Sequence, residues 1–282
     1  MRIFLIVAIF ITSVYANIFS NKEQADAAEY IDALKDLIVS TQRTRGVTSA
    51  YLNGNHSAIV VIYAHREDMK KAIGKMESLP LSSDTVISSR ATALSLSLVK
   101  LNQEALEITS KESFDRHCEN ISQALMLAQT VSKKGFQNLN EFSKNASGIM
   151  LETILPLSES IGQLRAVGSG VAAKHKISKS NQYKVEALLA KIKSLSTKLH
   201  QEITTTSHQY PKKYSVNLDT ELKKIERIVK SYSNFTRKEL LSGDISVDSM
   251  EYFDRGTDTV DSVISLFDIN KKAIAGDSKG WF

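Results

Sequence analysis

Apolar residues recur at alternating spacings of three and four along most of the chain, which is the period of an amphipathic helix. Turn signals such as Asn53-Gly54-Asn55 and Leu79-Pro80 interrupt this pattern. We detect no convincing strand. The predicted helices span residues 22–53, 58–78, 84–109, 113–133, 140–175, 180–208, 216–241 and 248–272. The sequence therefore predicts an all-α fold.

Two parts of the chain repeat each other weakly, and the repeats occur in the same order in both parts. The matching stretches are 114–128 with 253–267, 42–49 with 162–169, and Arg90 with Arg227. Repetition of this kind predicts two antiparallel four-helix bundles that share long helices. We place the first bundle at residues 17–138 and the second at residues 139–282.

The N-terminus has the three regions of a secretory signal peptide. A positive charge at Arg2 is followed by an apolar run from Ile3 to Val14 and then by Tyr15-Ala16. The run is shorter than the roughly twenty residues that span a bilayer. We therefore expect residues 1–16 to be removed after Ala16 and the protein to be periplasmic or secreted. A retained N-terminal anchor is the alternative.

Composition excludes several classes of function. The 36 Lys and Arg residues nearly balance the 31 Asp and Glu residues and form no basic stripe, so we expect no nucleic-acid partner. Cys118 has no second cysteine to pair with, and we interpret it as a core residue. The histidines form no pair at metal-binding spacing, and phosphate loops and nucleophile elbows are absent from the sequence. The sequence predicts no metal, no cofactor and no enzyme activity.

Arg45 and Arg165 are predicted to lie inside the apolar stripes of their helices. Arg45 projects within about 20° of Ile38 and Leu52, and Arg165 within about 40° of Ile161. Arginine rarely enters such a stripe unpaired, and the neighbouring stretches of both stripes contain no Asp or Glu. Two interpretations stay open: internal carboxylates neutralise these arginines, or an external anion does.

The segments around these arginines resemble those of a known family. The segment Gln42-x-x-Arg45-Gly46, followed by Val47-Thr48-Ser49-Ala50-Tyr51-Leu52, resembles the first-helix signature of the nitrate- and nitrite-sensing (NIT) domain family. The segment Ile161-Gly162-Gln163-Leu164-Arg165-Ala166-Val167-Gly168 resembles the signature that opens its second half. The chain departs from the family at Thr44, where a glutamate is usual. The resemblance implies an all-helical sensor that binds nitrate or nitrite through arginines between two bundles.

The resemblance extends to four candidate ligand-binding residues. Arg45 and Arg165 match the family signatures, and Arg43 and Arg227 are weaker matches. Arg43 points about 160° away from Arg45, so both serve one ligand only if their helix is wedged between two partners or unwinds. Arg227 shares a polar helix face, where a solvated surface arginine is the alternative. Arg90 is a reserve candidate near an apolar stripe.

The sequence thus predicts an exported, stand-alone sensor that binds nitrate or nitrite and relays its state to a separate membrane-bound receptor or kinase. We expect no output domain after residue 272, and a homodimer is compatible with the sequence. We expect the anion to draw the two bundles together. The alternative is a structural or interaction protein of the cell envelope, whose arginines are paired internally and which binds no small molecule.

Overall fold

The computed structural model describes residues 2–279, including the side chains of residues 22–277. This part of the chain is helical and contains no strand. Its helices are α1 (Arg2–Leu52), α2 (Ile59–Ser78), α3 (Thr85–Glu104), α4 (Ser110–Gly135), α5 (Glu141–Ile149), α6 (Leu155–Lys174), α7 (Lys179–Gln209), α8 (Leu218–Leu241) and α9 (Ser249–Lys279). The prediction of an all-α fold is confirmed.

The observed helices differ from the predicted ones mainly in two places. Helix α1 begins at Arg2 rather than residue 22, and the side chains of the predicted signal peptide, residues 1–16, lie outside the described residues. The predicted helix 140–175 is divided by a π-helical turn at Met150–Ile154, two residues before Pro156. Proline has no N–H and its ring clashes with the carbonyl four residues earlier, so a wider turn accommodates it.

Side-chain caps explain where most of the helices begin. The Asp84 carboxylate accepts hydrogen bonds from the backbone N–H groups of Val86 and Ile87 at the start of α3. Such caps satisfy N–H groups that have no partner inside the helix. Equivalent caps begin α4 at Thr109, α5 at Asn140, α7 at Ser178, α8 at Asn217 and α9 at Asp248.

Among the described residues, none of the helices combines the length and the apolar character that a membrane span needs.

The helices pack in two closed rings that meet at α1 and α6. In the first ring α1 contacts α2 and α4, and α3 completes it by contacting both of them. In the second ring α6 contacts α7 and α9, and α8 completes it in the same way. Residue 138, where we divide the chain, lies in the connection between α4 and α5. The division into two domains at that residue stays a prediction.

Helices α1 and α6 run side by side in the same direction through the centre of the molecule. A β-carbon placed on Gly162 would lie 3.2 Å from Gln42 Cδ, and one placed on Gly170 would lie 2.7 Å from Ser49 Oγ. Glycine therefore permits a close approach of the two backbones. As a result, residues near the C-terminal end of α1 and in the middle of α6 lie at the junction of the two rings.

Candidate functional site

Arg45 and Arg165 lie at this junction and are almost completely buried. Their exposed fractions are 1% and 0%. Each side chain extends towards the opposite central helix: a β-carbon on Gly162 would lie 3.0 Å from Arg45 Nη2, and one on Gly46 would lie 3.4 Å from Arg165 Nε. The glycines beside the two arginines therefore provide the space that the guanidinium groups occupy.

The two arginines have matching aromatic neighbours. The Arg45 guanidinium carbon lies 5.4 Å from the centre of the Phe114 ring, and that of Arg165 lies 4.7 Å from the centre of the Phe253 ring. The two phenylalanines begin the repeated Phe-Asp-Arg segments. A cation over an aromatic face is stabilised by the ring quadrupole. The sequence repeat thus corresponds to two related environments, one around each buried arginine.

Arg45 is neutralised by a carboxylate from the other central helix. Its Nη1 and Nη2 lie 2.6 Å and 3.1 Å from the two carboxylate oxygens of Glu159. Gln42 and Gln163 also donate hydrogen bonds to this carboxylate, and Arg45 donates one to Cys118 Sγ. Burial acts to lower the pKa of Arg45, but the charges of Glu159 and Cys118 and their hydrogen bonds with Arg45 together outweigh it, and the pKa is raised. The first interpretation, internal neutralisation, therefore holds for Arg45.

Glu159 lies outside the apolar stripe of Arg165, so the stripe pattern does not predict it as a partner of Arg45. Glu159 precedes Arg165 by six positions, which places it about 120° away around α6 and directs it towards α1. Thr44, the position where the family usually has a glutamate, is buried and donates its hydroxyl hydrogen bond to the Ser40 carbonyl. Glu159 supplies a carboxylate to Arg45 from the neighbouring helix instead.

Arg165 has no such partner among the described residues. Its one hydrogen bond there joins Nη1 to Thr257 Oγ1 at 2.7 Å, while Nε and Nη2 are buried without a hydrogen-bond partner. Burial is the largest cause that lowers the pKa of Arg165; Tyr232 opposes it, the charges of Arg45 and Arg43 add to it, and the pKa is about 10. A guanidinium with a pKa near 10 still carries its charge at neutral pH. Arg165 is therefore a buried cation without a counterion in the described part of the molecule.

Tyr232 of α8 lies beside Arg165. A β-carbon on Gly256 of α9 would lie 2.7 Å from the Tyr232 hydroxyl and 2.8 Å from Arg165 Cγ, so glycine allows the three helices to meet. The Tyr232 hydroxyl makes no hydrogen bond of good geometry within the described residues, although it adjoins Tyr252. Burial raises the pKa of Tyr232 well above its ordinary value, which keeps the hydroxyl protonated and able to donate.

Arg45, Glu159 and Arg165 form the centre of an arginine cluster. Arg43 lies at its edge and is half-buried. Its Nη2 lies 2.9 Å from both carboxylate oxygens of Asp261 on α9, so its charge is balanced. Helix α1 is wedged between α2, α4, α6 and α9. Arg43 thus faces Asp261 of α9 while Arg45 faces Glu159 of α6, and the service of both arginines to one ligand stays a prediction.

The other two candidate arginines, Arg227 and Arg90, are exposed and lie outside the cluster. Arg227 donates from Nε to the Lys223 carbonyl of its own helix, as expected of the solvated alternative. Arg90 donates to Thr130 Oγ1 on α4. Its position beside the apolar stripe does not bury it, because a long arginine side chain reaches from the flank of a helix to solvent.

Counted over the residues whose side chains are described, the cluster carries one uncompensated positive charge. Arg45 and Glu159 cancel, Arg43 and Asp261 cancel, and Arg165 remains. Within the residues whose side chains are described, no group of three His, Cys, Asp or Glu side chains is arranged to hold a metal ion. The chemistry that this arrangement offers is the binding of a small anion.

Comparison with known proteins identifies the family and the fold of the chain. The family model described as "Nitrate and nitrite sensing" matches residues 36–268. The solved structure of the NasR transcription antiterminator superposes with a TM-score of 0.69 over 98% of this chain and 75% of that one; at 12% identity, the likeness concerns the fold. No curated protein matches the sequence significantly. The family's description indicates a sensory role in signalling rather than catalysis. Since its model matches well over half of the chain, the protein belongs to the nitrate- and nitrite-sensing (NIT) family.

Proposed function

We propose that the protein senses nitrate or nitrite by binding one anion at Arg165, at the junction of the two helical rings. The observation that carries the proposal is the burial of Arg165 without a carboxylate partner among the described residues. An unpaired buried charge is costly, and proteins normally pair such a charge. A bound anion relieves that cost, so its binding is favoured by the fold itself.

The unbonded edge of the Arg165 guanidinium matches the shape of these anions. Nε–H and one N–H of Nη2 point in the same direction along one edge of the planar group, and neither nitrogen has a hydrogen-bond partner among the described residues. Planar nitrate and bent nitrite each present two oxygens that accept such a fork of hydrogen bonds. We propose the Tyr232 hydroxyl, which lies beside the Arg165 side chain, as a third donor.

The charge of the cluster favours a monovalent anion. A single negative charge brings the sum of Arg45, Glu159 and Arg165 to zero, whereas sulfate would leave a negative charge buried. In this proposal Arg165 contacts the ligand directly. Arg45 sets the charge of the site through its pairing with Glu159, and Arg43 adds positive potential at the edge. Arg227 takes no part.

The location of the site supports a mechanism for signalling. The proposed ligand lies where α1 of one ring contacts α6 and α9 of the other. Neutralising Arg165 removes its repulsion with Arg45 and Arg43 and draws the rings together, which is a change of state that a partner protein can recognise. We propose that this partner is a separate membrane-bound receptor or kinase.

Export of the protein is also part of the proposal. It is supported by the positive charge, apolar run and small residue at position 16 in residues 1–16. Intact mass measurement of the protein from its native host is expected to find a chain that begins at Asn17. A chain that retains Met1 or Arg2 would contradict cleavage.

The interaction-protein alternative makes a different prediction about ligands, which a thermal-shift screen tests. We expect nitrate or nitrite at millimolar concentration to raise the melting temperature, because a ligand that binds only the folded state stabilises it. Sulfate, chloride and small carboxylates serve as controls for charge and ionic strength. No shift with nitrate or nitrite would favour the helical-bundle protein without a small-molecule ligand.

Three variants test the proposed roles of the arginines. Arg165→Met is expected to weaken nitrate binding by roughly thirtyfold or more, since loss of a buried charged hydrogen-bonding group costs about 2–5 kcal/mol. Arg45→Met leaves Glu159 free to neutralise Arg165 and should weaken binding similarly. The double variant Arg45→Met with Glu159→Gln restores a charge of one and should recover most of the affinity, as measured by calorimetry.

Arg227→Gln is the matched control for these variants, because it removes an arginine that is exposed. Circular dichroism establishes that each variant is folded before its affinity is compared. Unchanged nitrate affinity in folded Arg165→Met would refute the proposed site. A double variant as weak as Arg45→Met would refute the charge-balance argument and would assign Arg45 a direct contact.

A further inference from the structure

His65 of α2 lies beside the proposed anion site. Its ring centre is 6.1 Å from that of Phe253, the same ring over which the Arg165 guanidinium lies. The His65 side chain is 18% exposed, and its Nδ1 is buried without a hydrogen-bond partner in the described structure. The nearest carboxylate oxygen, on Asp68 of the same helix, is 3.7 Å from Nδ1. The imidazole is therefore close to the site and free to form a new hydrogen bond.

The charges that face His65 come mainly from other helices and are positive. Burial is the largest cause that lowers the pKa of His65, followed by the charges of Arg43 on α1 and Arg165 on α6. Asp68 acts in the opposite direction but does not outweigh them. On α9, Asp261 already pairs with Arg43. The pKa of His65 lies below its ordinary value of 6.5, so the ring is neutral at pH 7.

We propose that His65 takes up a proton when an anion binds at Arg165 and thereby becomes a second cation of that site. This inference rests on the function proposed above. A bound anion cancels the repulsion between Arg165 and a protonated imidazole, so the pKa of His65 rises. One proton moves from solvent to a ring nitrogen, and no covalent bond to the anion forms.

The sign of the linkage follows from this direction of the shift. Because the anion raises the pKa of His65, protonation of His65 strengthens anion binding by the same factor. Nitrate affinity should therefore rise as pH falls from above the pKa of the anion-bound form to below the pKa of the free form. Above that range the affinity is independent of pH. Nitrate itself does not titrate there, so the dependence belongs to the protein.

Calorimetry of the full-length protein with nitrate tests the inference. We expect the wild type to bind about three- to tenfold more tightly at pH 5.5 than at pH 7.5, which corresponds to a shift of half to one pKa unit. Parallel titrations in two buffers of different ionisation enthalpy should show uptake of a fraction of a proton per anion. His65→Asn should bind nitrate at pH 7.5 but lose both the pH dependence and the proton uptake.

His200→Asn is the matched control. His200 is exposed and lies away from this cluster, where its Nδ1 is 2.8 Å from Glu226 Oε1. This variant should keep the linkage. NMR titration of the His65 imidazole in the wild type needs no variant, and saturating nitrate should raise its pKa.

Three results would overturn the inference. Proton uptake and pH dependence that persist in His65→Asn would assign the linkage to another group, such as Asp254, whose pKa is raised by burial. Nitrate binding without proton uptake would overturn this inference alone and leave the proposed function intact. The absence of nitrate binding at every pH would overturn the proposed function, and this inference with it.

Discussion

The ion pair between Arg45 and Glu159 joins the two central helices and sets the net charge of the arginine cluster. It is a fork of two hydrogen bonds between side chains that are nearly inaccessible to solvent, and two glutamines complete the carboxylate's hydrogen bonds. Breaking such a pair by removing one partner is strongly destabilising, because the other charge stays buried. The pair therefore ties α1 to α6 and leaves Arg165 as the unbalanced charge of the cluster.

A nearly symmetric scaffold thus produces an asymmetric site. Each central arginine lies over the phenylalanine of a Phe-Asp-Arg segment, yet only Arg45 meets a carboxylate within the described structure. The repeat explains the difference: the position in α1 that corresponds to Glu159, at the offset of 120, is Val39. A glutamate there would provide the second half with its own counterion. Its absence leaves Arg165 unpaired, and the proposed function follows from that difference.

Much of this arrangement was predictable from local sequence. The helical period and the turn signals at Asn53-Gly54 and Leu79-Pro80 predict the helices, because these signals act between neighbours in the chain. The burial of Arg45 and Arg165 followed from their positions in apolar stripes, and the repeat at the offset of 139 indicated that Phe114 and Phe253 have equivalent environments.

The partners across helices were not predictable in this way. Glu159 is 114 positions from Arg45 in the sequence and on a different side of α6 from Arg165. Tyr232 and His65 reach the cluster from α8 and α2, and no periodicity relates them to Arg165. Arg227 and Arg90 were candidates from the sequence, yet both are exposed. A helix face predicts the direction of a side chain but not whether another helix covers it.

The central claim is that Arg165 contacts the anion while Arg45 remains paired with Glu159. A crystal structure of the protein with nitrate tests it most directly. The account predicts nitrate oxygens within hydrogen-bond distance of Arg165 Nε and Nη2, with the Arg45–Glu159 pair intact. Nitrate bound to Arg45 in place of Glu159, or bound away from both arginines, would contradict it.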